Sequence, residues 1–186
     1  MKHVDIYTDG ACSGNQNETN IGGWGCVLRY GKHEKELCGG EVDTTNNRME
    51  LTALIEALSA LKQKDLDISI FSDSSYLVNC FRNRWYEKWV VNGWKTSGKK
   101  PVENRELWEK LLELTNGNRT RFFLVKGHLD PEAPEEKLEK AYARFAEHNG
   151  DSFSFAEFRA ILRANNRCDE LANVFINETR AQSAQL

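Results

Sequence analysis

Four acidic residues in apolar surroundings constrain the fold of this chain of 186 residues more than any other feature. Asp9 and Asp73 come at the ends of β-like runs, in IYTDGACSGN and IFSDSSYL, whereas Glu50 and Asp169 lie on helical patterns, in TTNNRMEL and NNRCDELA. A carboxylate among apolar residues is costly unless it has a partner. We therefore expect all four to converge at one place on a sheet, where divalent cations offset their mutual repulsion.

Strand-like alternation predicts a sheet of five strands. Residues 3–9 alternate as a strand with two different faces, and residues 22–30 and 34–42 are separated by a turn whose length suits a hairpin. We expect these first three strands to form an antiparallel meander. Residues 67–73 and 119–127 supply the fourth and fifth strands.

Helical periodicity predicts the other elements. A helix should begin near Asn46 or Asn47, either of which suits an N-cap, because apolar residues then recur at intervals of three and four. Shorter helices are expected over 85–91 and 103–115, and a last helix opens at NNRCDELA with Asn at the cap. This order indicates an α/β domain with a mixed sheet, in which parallel strands are added to three antiparallel ones and helices flank the sheet.

Length and composition fit one domain over residues 1–180, followed by a loose tail over 181–186. No stretch reaches the roughly 20 apolar residues that cross a bilayer, so we expect a cytoplasmic protein with no membrane partner. The five cysteines are scattered and never form a C-x-x-C pair, which favours free thiols over disulfides or a zinc site. Because nothing resembles a coiled-coil seam or a long apolar edge, we expect a monomer.

A basic segment between Arg82 and Arg105 contrasts with a formal net charge of -3 for the chain. It holds seven basic residues against two acidic ones, and three of the five Trp residues, Trp85, Trp89 and Trp94. Cationic groups beside flat amphipathic rings are typical of a surface that follows a phosphate backbone. An ordinary solvated face whose Trp residues belong to the core explains the segment about equally well.

Seven local motifs occur in order along the chain and carry a family resemblance. They are TDGACSGN, GGWG, TTNNRMEL, SDSSYL, GWKTSGKKP, LVKGH and NNRCDELA. On these motifs the chain resembles ribonuclease H type 1, the bacterial ribonuclease HI, over residues 3–128 and 165–178. The resemblance implies the ribonuclease H-like fold. It also implies an endonuclease that hydrolyses the RNA strand of RNA/DNA hybrids and leaves 5′-phosphate and 3′-hydroxyl ends.

The resemblance further implies that Asp9, Glu50, Asp73 and Asp169 bind metal and are catalytic, and that His128 is the family's mobile-loop histidine, which assists proton transfer. The implied cofactor is a pair of Mg²⁺ ions held with substrate, with Mn²⁺ as a possible substitute. Physical chemistry agrees, because two such ions about 4 Å apart stabilise a phosphodiester under attack. Oxygen-only ligands also favour Mg²⁺ or Mn²⁺ over zinc.

Substrate contacts are implied in the same way. Asn15, Asn46 and Asn47 match residues in the minor groove of the hybrid, Thr45 matches a contact to a DNA phosphate, and Asn166 is a weaker candidate. Asn can both donate to and accept from a 2′-hydroxyl, which separates RNA from DNA. Capping or turn duty is the alternative for one of Asn46 and Asn47. A basic handle that grips the DNA strand, about residues 82–105, is matched by Trp85, Trp89, Trp94, Lys95, Lys99 and Lys100.

One segment departs from the family pattern. Forty residues separate His128 from Asp169, where the family usually has only a few, and residues 129–164 carry two helical patterns. We expect an inserted helical hairpin, which we name the arm, beside the active site. The arm could displace His128, so one alternative is a hybrid-binding or adaptor module whose arm has abolished turnover. A second alternative shares the fold and is a nuclease or strand-transfer relative that acts on DNA.

Overall fold

In this computed structural model, which describes residues 1–14 and 18–185, the chain forms a five-stranded sheet with helices on both faces. The strands are β1 (Lys2–Ser13), β2 (Ile21–Tyr30), β3 (His33–Val42), β4 (Leu66–Ser72) and β5 (Arg119–Leu124). The helices are α1 (Asn46–Ser59), α2 (Ser75–Arg82), α3 (Trp85–Val91), α4 (Arg105–Thr115), α5 (Glu135–Asn149) and α6 (Phe155–Ala184). The predicted α/β architecture is confirmed.

The central strand, β1, is paired on both sides along its first part and on one side only after Thr8. The strand order is β3-β2-β1-β4-β5, with an antiparallel β1-β2-β3 meander as predicted, and with β4 and β5 added in parallel. β1 pairs with β4 only as far as Thr8, opposite Ser72, but it pairs with β2 as far as Ser13. The predicted end of β1 at Asp9 is therefore wrong, because β2 continues the ladder alone. Asp9 and Asp73 each follow the last pair between β1 and β4.

Alternation along the strands divides the interior into two cores. Ile6 and Ile70 pack on the face that α1, α2 and α4 cover. Tyr7, Phe71 and Phe123 pack on the opposite face, where the rings of Tyr7 and Phe71 stack with their centroids 4.9 Å apart. Each strand serves both cores because successive side chains point to opposite faces of a sheet.

The arm covers this second face. Leu138 and Phe145 of α5 and Phe158 of α6 are buried in the second core. The end of α5 is fastened to β5 by Asn149, whose side chain accepts from the N–H of Leu124 and donates to its carbonyl, both at 2.9 Å. The arm is therefore a layer of the fold and not an appended hairpin.

Helix α6 runs without a break from Phe155 to Ala184, so the predicted helix start at NNRCDELA is wrong. Its N-cap is Ser154, whose hydroxyl accepts from the N–H of Glu157 at 3.1 Å. No Gly or Pro interrupts the segment, and buried residues, Asn165 among them, hold it against the sheet. Tertiary packing overrides the capping preference of Asn at this point.

Part of the segment that was expected to be a loose tail is helical. Residues 181–184 form the exposed last turn of α6. Each added residue extends the backbone hydrogen-bond ladder of an existing helix, so no further packing is required. None of the helices within the described ranges combines the length and the apolar character that are needed to span a membrane.

Candidate active site

Three of the four predicted carboxylates meet at the edge where β1 and β4 separate. Asp9 lies on β1, Glu50 lies near the start of α1, and Asp73 follows β4. One carboxylate oxygen from each residue lies within 4.8 Å of the other two. Asp9 and Glu50 are only 4% and 3% exposed, and Asp73 is partly buried. This spacing allows the three side chains to share a cation.

Two glycines permit this close approach. A Cβ atom on Gly10 would lie 2.5 Å from the backbone nitrogen of Glu50, so a glycine is needed for the start of α1 to reach β1. A Cβ atom on Gly127 would clash with Oδ2 of Asp73, so glycine also brings the LVKGH loop over the carboxylates. The TDG and KGH motifs therefore have a steric basis in the site.

Burial and mutual repulsion raise the pKa values of these carboxyl groups. Loss of solvation, followed by the charges of Asp73 and Asp169, raises the pKa of Asp9 to about 8. This happens although the N–H of Gly10 donates to Oδ1 of Asp9 at 2.9 Å. Burial first, and then the charge of Asp9, raises the pKa of Glu50 well above its ordinary value. Burial also raises the pKa of Asp73. Positive charge at the cluster would relieve this repulsion.

Glu50 also has a buried oxygen atom that lacks a protein partner. Its Oε2 atom accepts no hydrogen bond from any described residue. Buried polar atoms are normally paired, so an orphaned carboxylate oxygen calls for a ligand. A divalent cation would satisfy it, and a set of Asp and Glu oxygens suits Mg²⁺ or Mn²⁺. The residues present therefore fit a metal of that class.

The fourth carboxylate and the histidine lie at the rim of the same site. Asp169, on α6, lies outside the cluster of three and has a side chain that is 34% exposed. Nδ1 of His128 lies 3.9 Å from Oδ2 of Asp169. Asn166 donates to the carbonyl of Leu129 at 3.0 Å and so holds the loop that carries His128. The arm has therefore left His128 beside the carboxylates.

The four carboxylates and His128 line one cavity of about 410 Å³. Asn46 and Asn47, both predicted substrate contacts, lie on its wall. Neither is the N-cap of α1, because Thr45 has that role and accepts from the N–H of Arg48 at 3.1 Å. Asn15 lies outside the described residues. The cavity is lined by Asp9, Gly10, Ala11, Cys12, Asn46, Asn47, Glu50, Asp73, Ser74, Ser75, Tyr76, His128 and Asp169.

Comparison with known protein families identifies the family of this chain. The family model for RNase H matches residues 1–176. The chain belongs to the RNase H family. The family consists of hydrolytic endoribonucleases, so the chain is an enzyme of that class and the predicted resemblance is confirmed.

Two bacterial relatives, each named ribonuclease H, show how far the similarity extends. The relative from Acetivibrio thermocellus is 57% identical over 132 residues, which cover 71% of this chain and 87% of that protein. The relative from Chlorobium phaeovibrioides is 46% identical over 177 residues, which cover 95% of this chain and 97% of that protein. The second alignment extends over the arm, so an arm of this length is not peculiar to this RNase H.

Two solved structures share the RNase H fold. LC9-RNase H1, described as a type 1 RNase H with the type 2 active-site motif, is 27% identical, with a TM-score of 0.61 over 88% of this chain and 85% of that one. LC11-RNase H1, solved in complex with an RNA/DNA hybrid, is 21% identical, with a TM-score of 0.51 over 95% of this chain and 98% of that one. At 21% identity, the similarity to LC11-RNase H1 shows a shared fold only.

The Trp residues of the RNase H handle have different environments. Trp94 is 8% exposed and belongs to the core, with the guanidinium of Arg105 5.4 Å from its ring centre. Trp89 is partly buried between Trp94 and Trp108, with ring centroids 6.0 and 5.5 Å apart. Trp85 is exposed. The ring of Trp94 is covered by its own fold, and its contact with substrate stays a prediction.

The cations of the handle also divide into two groups. Lys95, Lys99 and Lys100 are exposed in the segment after α3, so they stay predicted contacts for nucleic acid. Arg82 instead faces the arm, where its guanidinium donates to the carbonyl of His148 at 2.9 Å. Arg82 is therefore tied to the arm, whereas the three lysines are exposed.

A second basic surface was not predicted from the sequence. Lys137, Lys140 and Arg144 recur at intervals of three and four along α5 and line a cavity beside the carboxylates. The apolar stripe of α5, including Leu138 and Phe145, predicts only packing. The basic stripe beside it is the sequence signal from which this surface could have been predicted.

Proposed function

We propose that this RNase H hydrolyses the RNA strand of RNA/DNA hybrids as an endonuclease and leaves 5′-phosphate and 3′-hydroxyl ends. The proposal depends most on one observation, the buried cluster of Asp9, Glu50 and Asp73 with its unpartnered Glu50 oxygen. Family membership supports the nuclease activity. The hybrid as substrate is supported by a neighbour of the same fold, LC11-RNase H1, which was solved with one.

Two Mg²⁺ ions, with Mn²⁺ as a substitute, are the proposed cofactors. Bound together with substrate, they supply an activated water, neutralise the charge of the attacked phosphodiester and stabilise the leaving 3′ oxygen. Asp9, Glu50 and Asp73 would hold them from the buried cluster, and Asp169 would add a ligand from the rim. The fold contributes by keeping these oxygens together against their repulsion, so that the ligand set is organised before substrate arrives.

His128 is the proposed proton carrier. Its side chain is 76% exposed, and its ring lies 3.9 Å from Asp169, so it can exchange protons both with water and at the site. Its backbone is left-handed, with φ at 57°, and the bond from Asn166 to the carbonyl of Leu129 holds the adjacent peptide. We assign Asn166 to positioning this loop and not to substrate contact.

Recognition of the hybrid is assigned to the cavity wall and to the handle. Asn46 and Asn47, together with Asn15, would read 2′-hydroxyls in the minor groove. The hydroxyl of Thr45 accepts at the cap of α1 and keeps its own hydrogen for a DNA phosphate. The proposed grip on the DNA strand consists of Trp85, the open edge of Trp89, Lys95, Lys99 and Lys100.

We also propose that the protein works as a monomer in the bacterial cytoplasm. The two relatives compared above are bacterial, and all five cysteines of this chain are free thiols. Free thiols are typical of a reducing compartment. Sedimentation of the purified protein over a range of concentrations tests the monomer.

Cleavage of end-labelled substrates tests the proposed activity. An RNA/DNA hybrid, a DNA duplex and an RNA duplex of one sequence are each incubated in Mg²⁺ and in Mn²⁺. We expect cuts only in the RNA strand of the hybrid, with phosphatase-sensitive new 5′ ends. Asp9→Asn should lower the rate ~100-fold or more, because it removes a metal ligand. Asp5→Asn, four residues earlier on β1 and outside the cavity, is the matched control and should cleave normally.

Each alternative function has its own outcome in this assay. Tight hybrid binding without cleavage in either metal would favour a hybrid-binding module, and cuts in DNA strands would favour a DNA-acting relative. His128→Ala should keep hybrid affinity and lose about 100-fold in rate, the usual size of a general acid or base contribution. An unchanged rate would remove His128 from the mechanism.

A further inference from the structure

A second cavity lies between the arm and the LVKGH loop. It measures about 470 Å³ and is bounded by α5 on one side and by the end of β5 and the loop after it on the other. Asp73 and Ser75 line both this cavity and the carboxylate cavity. The two cavities therefore adjoin, and the second, which we name the arm groove, leads away from the catalytic carboxylates.

The walls of the arm groove are basic. Lys137, Lys140 and Arg144 line it from α5, and Lys126 lines it from the LVKGH loop. All four side chains belong to exposed residues. Asp73, at the border with the active site, is the single acidic residue in the described lining. A concave surface with this excess of positive charge attracts polyanions.

The acidic residues of α5 do not line the arm groove, and Glu136, which pairs with Lys140, lies at its border. Glu135 lines a different cavity together with Arg159. Glu136, Glu139 and Glu147 are exposed and do not line the arm groove. Charge is therefore sorted around α5, with its basic residues on the face toward the groove. An ordinary solvated helix would mix the two signs around its surface.

Most of these cations are not used by the fold. Among the described residues, Lys140 forms an exposed ion pair with Glu136 at 3.2 Å, whereas Lys126, Lys137 and Arg144 form no salt bridge. An exposed pair of this kind contributes little to stability. The basic wall is therefore available to an anionic ligand.

The dimensions and the floor of the arm groove fit a nucleic-acid strand. From Lys137 to Arg144 the helix rises about 10 Å, which matches roughly three phosphates of one strand. Between the basic walls the floor is apolar, and its partly exposed residues, Leu124 and Ala141, can contact sugar or base surfaces. The floor consists of Leu124, Val125, Leu129, Ala141, Phe145 and Phe158.

We propose that the arm groove binds the phosphate backbone of the RNA strand next to the cleavage point. The proposal rests on the proposed function, because the RNA strand then crosses the carboxylates that border the groove. The handle packs on the α1 face of the sheet through Trp94, and the arm packs on the opposite face through Phe145 and Phe158. The hybrid is thus gripped from two sides, with the DNA strand at the handle and the RNA strand at the arm.

The test compares two triple variants that change net charge equally. The groove variant carries Lys137→Ala, Lys140→Ala and Arg144→Ala, and the control carries Lys32→Ala, Lys62→Ala and Lys110→Ala, all at exposed positions outside the groove. Steady-state cleavage of a hybrid with one cleavable position is measured between about 50 and 200 mM salt. We expect the groove variant to raise KM ~10-fold or more and to lower the slope of log KM against log salt by about 2 to 3, with kcat within about twofold of the wild type. The control should match the wild type.

Uncharged methylphosphonate linkages in place of phosphates show which strand of the hybrid contacts the arm groove. Placed in the RNA strand beside the cut, they should raise KM for the wild type and leave the groove variant unchanged. Placed in the DNA strand, they should affect both proteins alike. If the groove variant loses thermal stability, Lys137→Gln alone replaces it, with an expected change in slope of about 0.9.

The possible failures of the two proposals are distinguishable. If the wild type cleaves the hybrid and the groove variant behaves like the control, the arm groove does not bind substrate, and an acidic peptide becomes the better occupant. If only linkages in the DNA strand raise KM for the wild type and leave the groove variant unchanged, the assignment to the RNA strand is overturned. If the wild type does not cleave at all, the proposed function fails, and hybrid binding by the two variants still reports on the groove.

Discussion

The buried carboxylate of Asp9 destabilises the folded chain without metal, and it also supplies an oxygen ligand to the cluster. The carboxyl group is buried beside Asp73 and Glu50, so the folded chain without metal retains a proton that the unfolded chain releases at much lower pH. The same crowding presents several oxygens to one cation. The site is therefore stabilised by its ligand and not by its own contacts.

Without divalent cations, the free energy of unfolding should fall as pH rises from about 4 to 8. The pKa of Asp9 rises from 3.8 to about 8 in the folded state, so the folded state binds more protons across this window and loses stability as they leave. The raised pKa of Glu50 acts in the same direction. Urea unfolding in EDTA at several pH values measures the decline.

Saturating Mg²⁺ should remove most of this decline, because a bound cation favours the ionised carboxylates. Asp9→Asn should flatten the dependence in EDTA, whereas Asp5→Asn, outside the cavity, should leave it unchanged. An Asp9→Asn variant whose pH dependence in EDTA equals that of the wild type would show that burial of Asp9 does not raise its pKa.

Asn166→Ala should lower kcat about fivefold with KM unchanged, because it removes the hydrogen bond that holds the His128 loop. Asn177→Ala, at an exposed position on the same helix, serves as the control. In a His128→Ala background the Asn166→Ala change should have no further effect on kcat. Additive losses in the double variant would show that Asn166 acts independently of His128.

At the scale of elements, the handle joins a structural base to an exposed surface. Trp94 and Trp89 pack with Trp108 at the base, whereas Trp85 starts α3 in contact with solvent. Loss of a base Trp should therefore lower stability, whereas loss of Trp85 should weaken substrate binding.

Trp94→Ala should destabilise the chain by about 3 to 5 kcal/mol, because it empties a buried aromatic site. Trp85→Ala should leave the free energy of unfolding within about 0.5 kcal/mol and raise KM for the hybrid about fivefold or more, because a stacking surface is lost. Chemical denaturation and cleavage kinetics on both variants measure this. The reverse assignment of the two losses would contradict the proposed division of the handle.

The arm is the other element with two faces. Its apolar side completes the second core, and its basic side lines the arm groove. Phe158→Ala should cost about 3 to 5 kcal/mol, since the ring is 1% exposed against the sheet. Val91→Ala in the handle, where the side chain is exposed, should change stability by less than about 0.5 kcal/mol. Urea unfolding of both variants provides the comparison, and a small effect of Phe158→Ala would mean that the arm is only loosely attached.

At the scale of the whole molecule, both cores share one sheet. Ile70 and Phe71 are neighbours on β4 and belong to different cores, and Asn149 ties the end of the arm to β5. We therefore expect residues 1–180, arm included, to unfold in a single cooperative transition. Calorimetry should give equal calorimetric and van't Hoff enthalpies. A separate early transition that disappears when the arm is deleted would show that the arm is an independent unit.

Local sequence patterns determined the elements and the place of the carboxylates. The five strands, α1 and the positions of Asp9, Glu50 and Asp73 could be predicted because alternation, helical periodicity and a carboxylate in an apolar setting are properties of neighbouring residues. The family motifs added the role of the metal site and of His128 to that prediction.

Only the tertiary structure decided the rest. The unbroken α6 across Asn165, the burial of Trp94, the bond from Asn166 to Leu129 and the sorting of Lys137 and its neighbours into a groove all involve segments far apart in the chain. Propensity and spacing describe a segment in isolation, whereas burial depends on what packs against it. The sequence by itself therefore determined most of the elements and which residues carry charge, and packing between distant segments decided which of those residues line the two cavities.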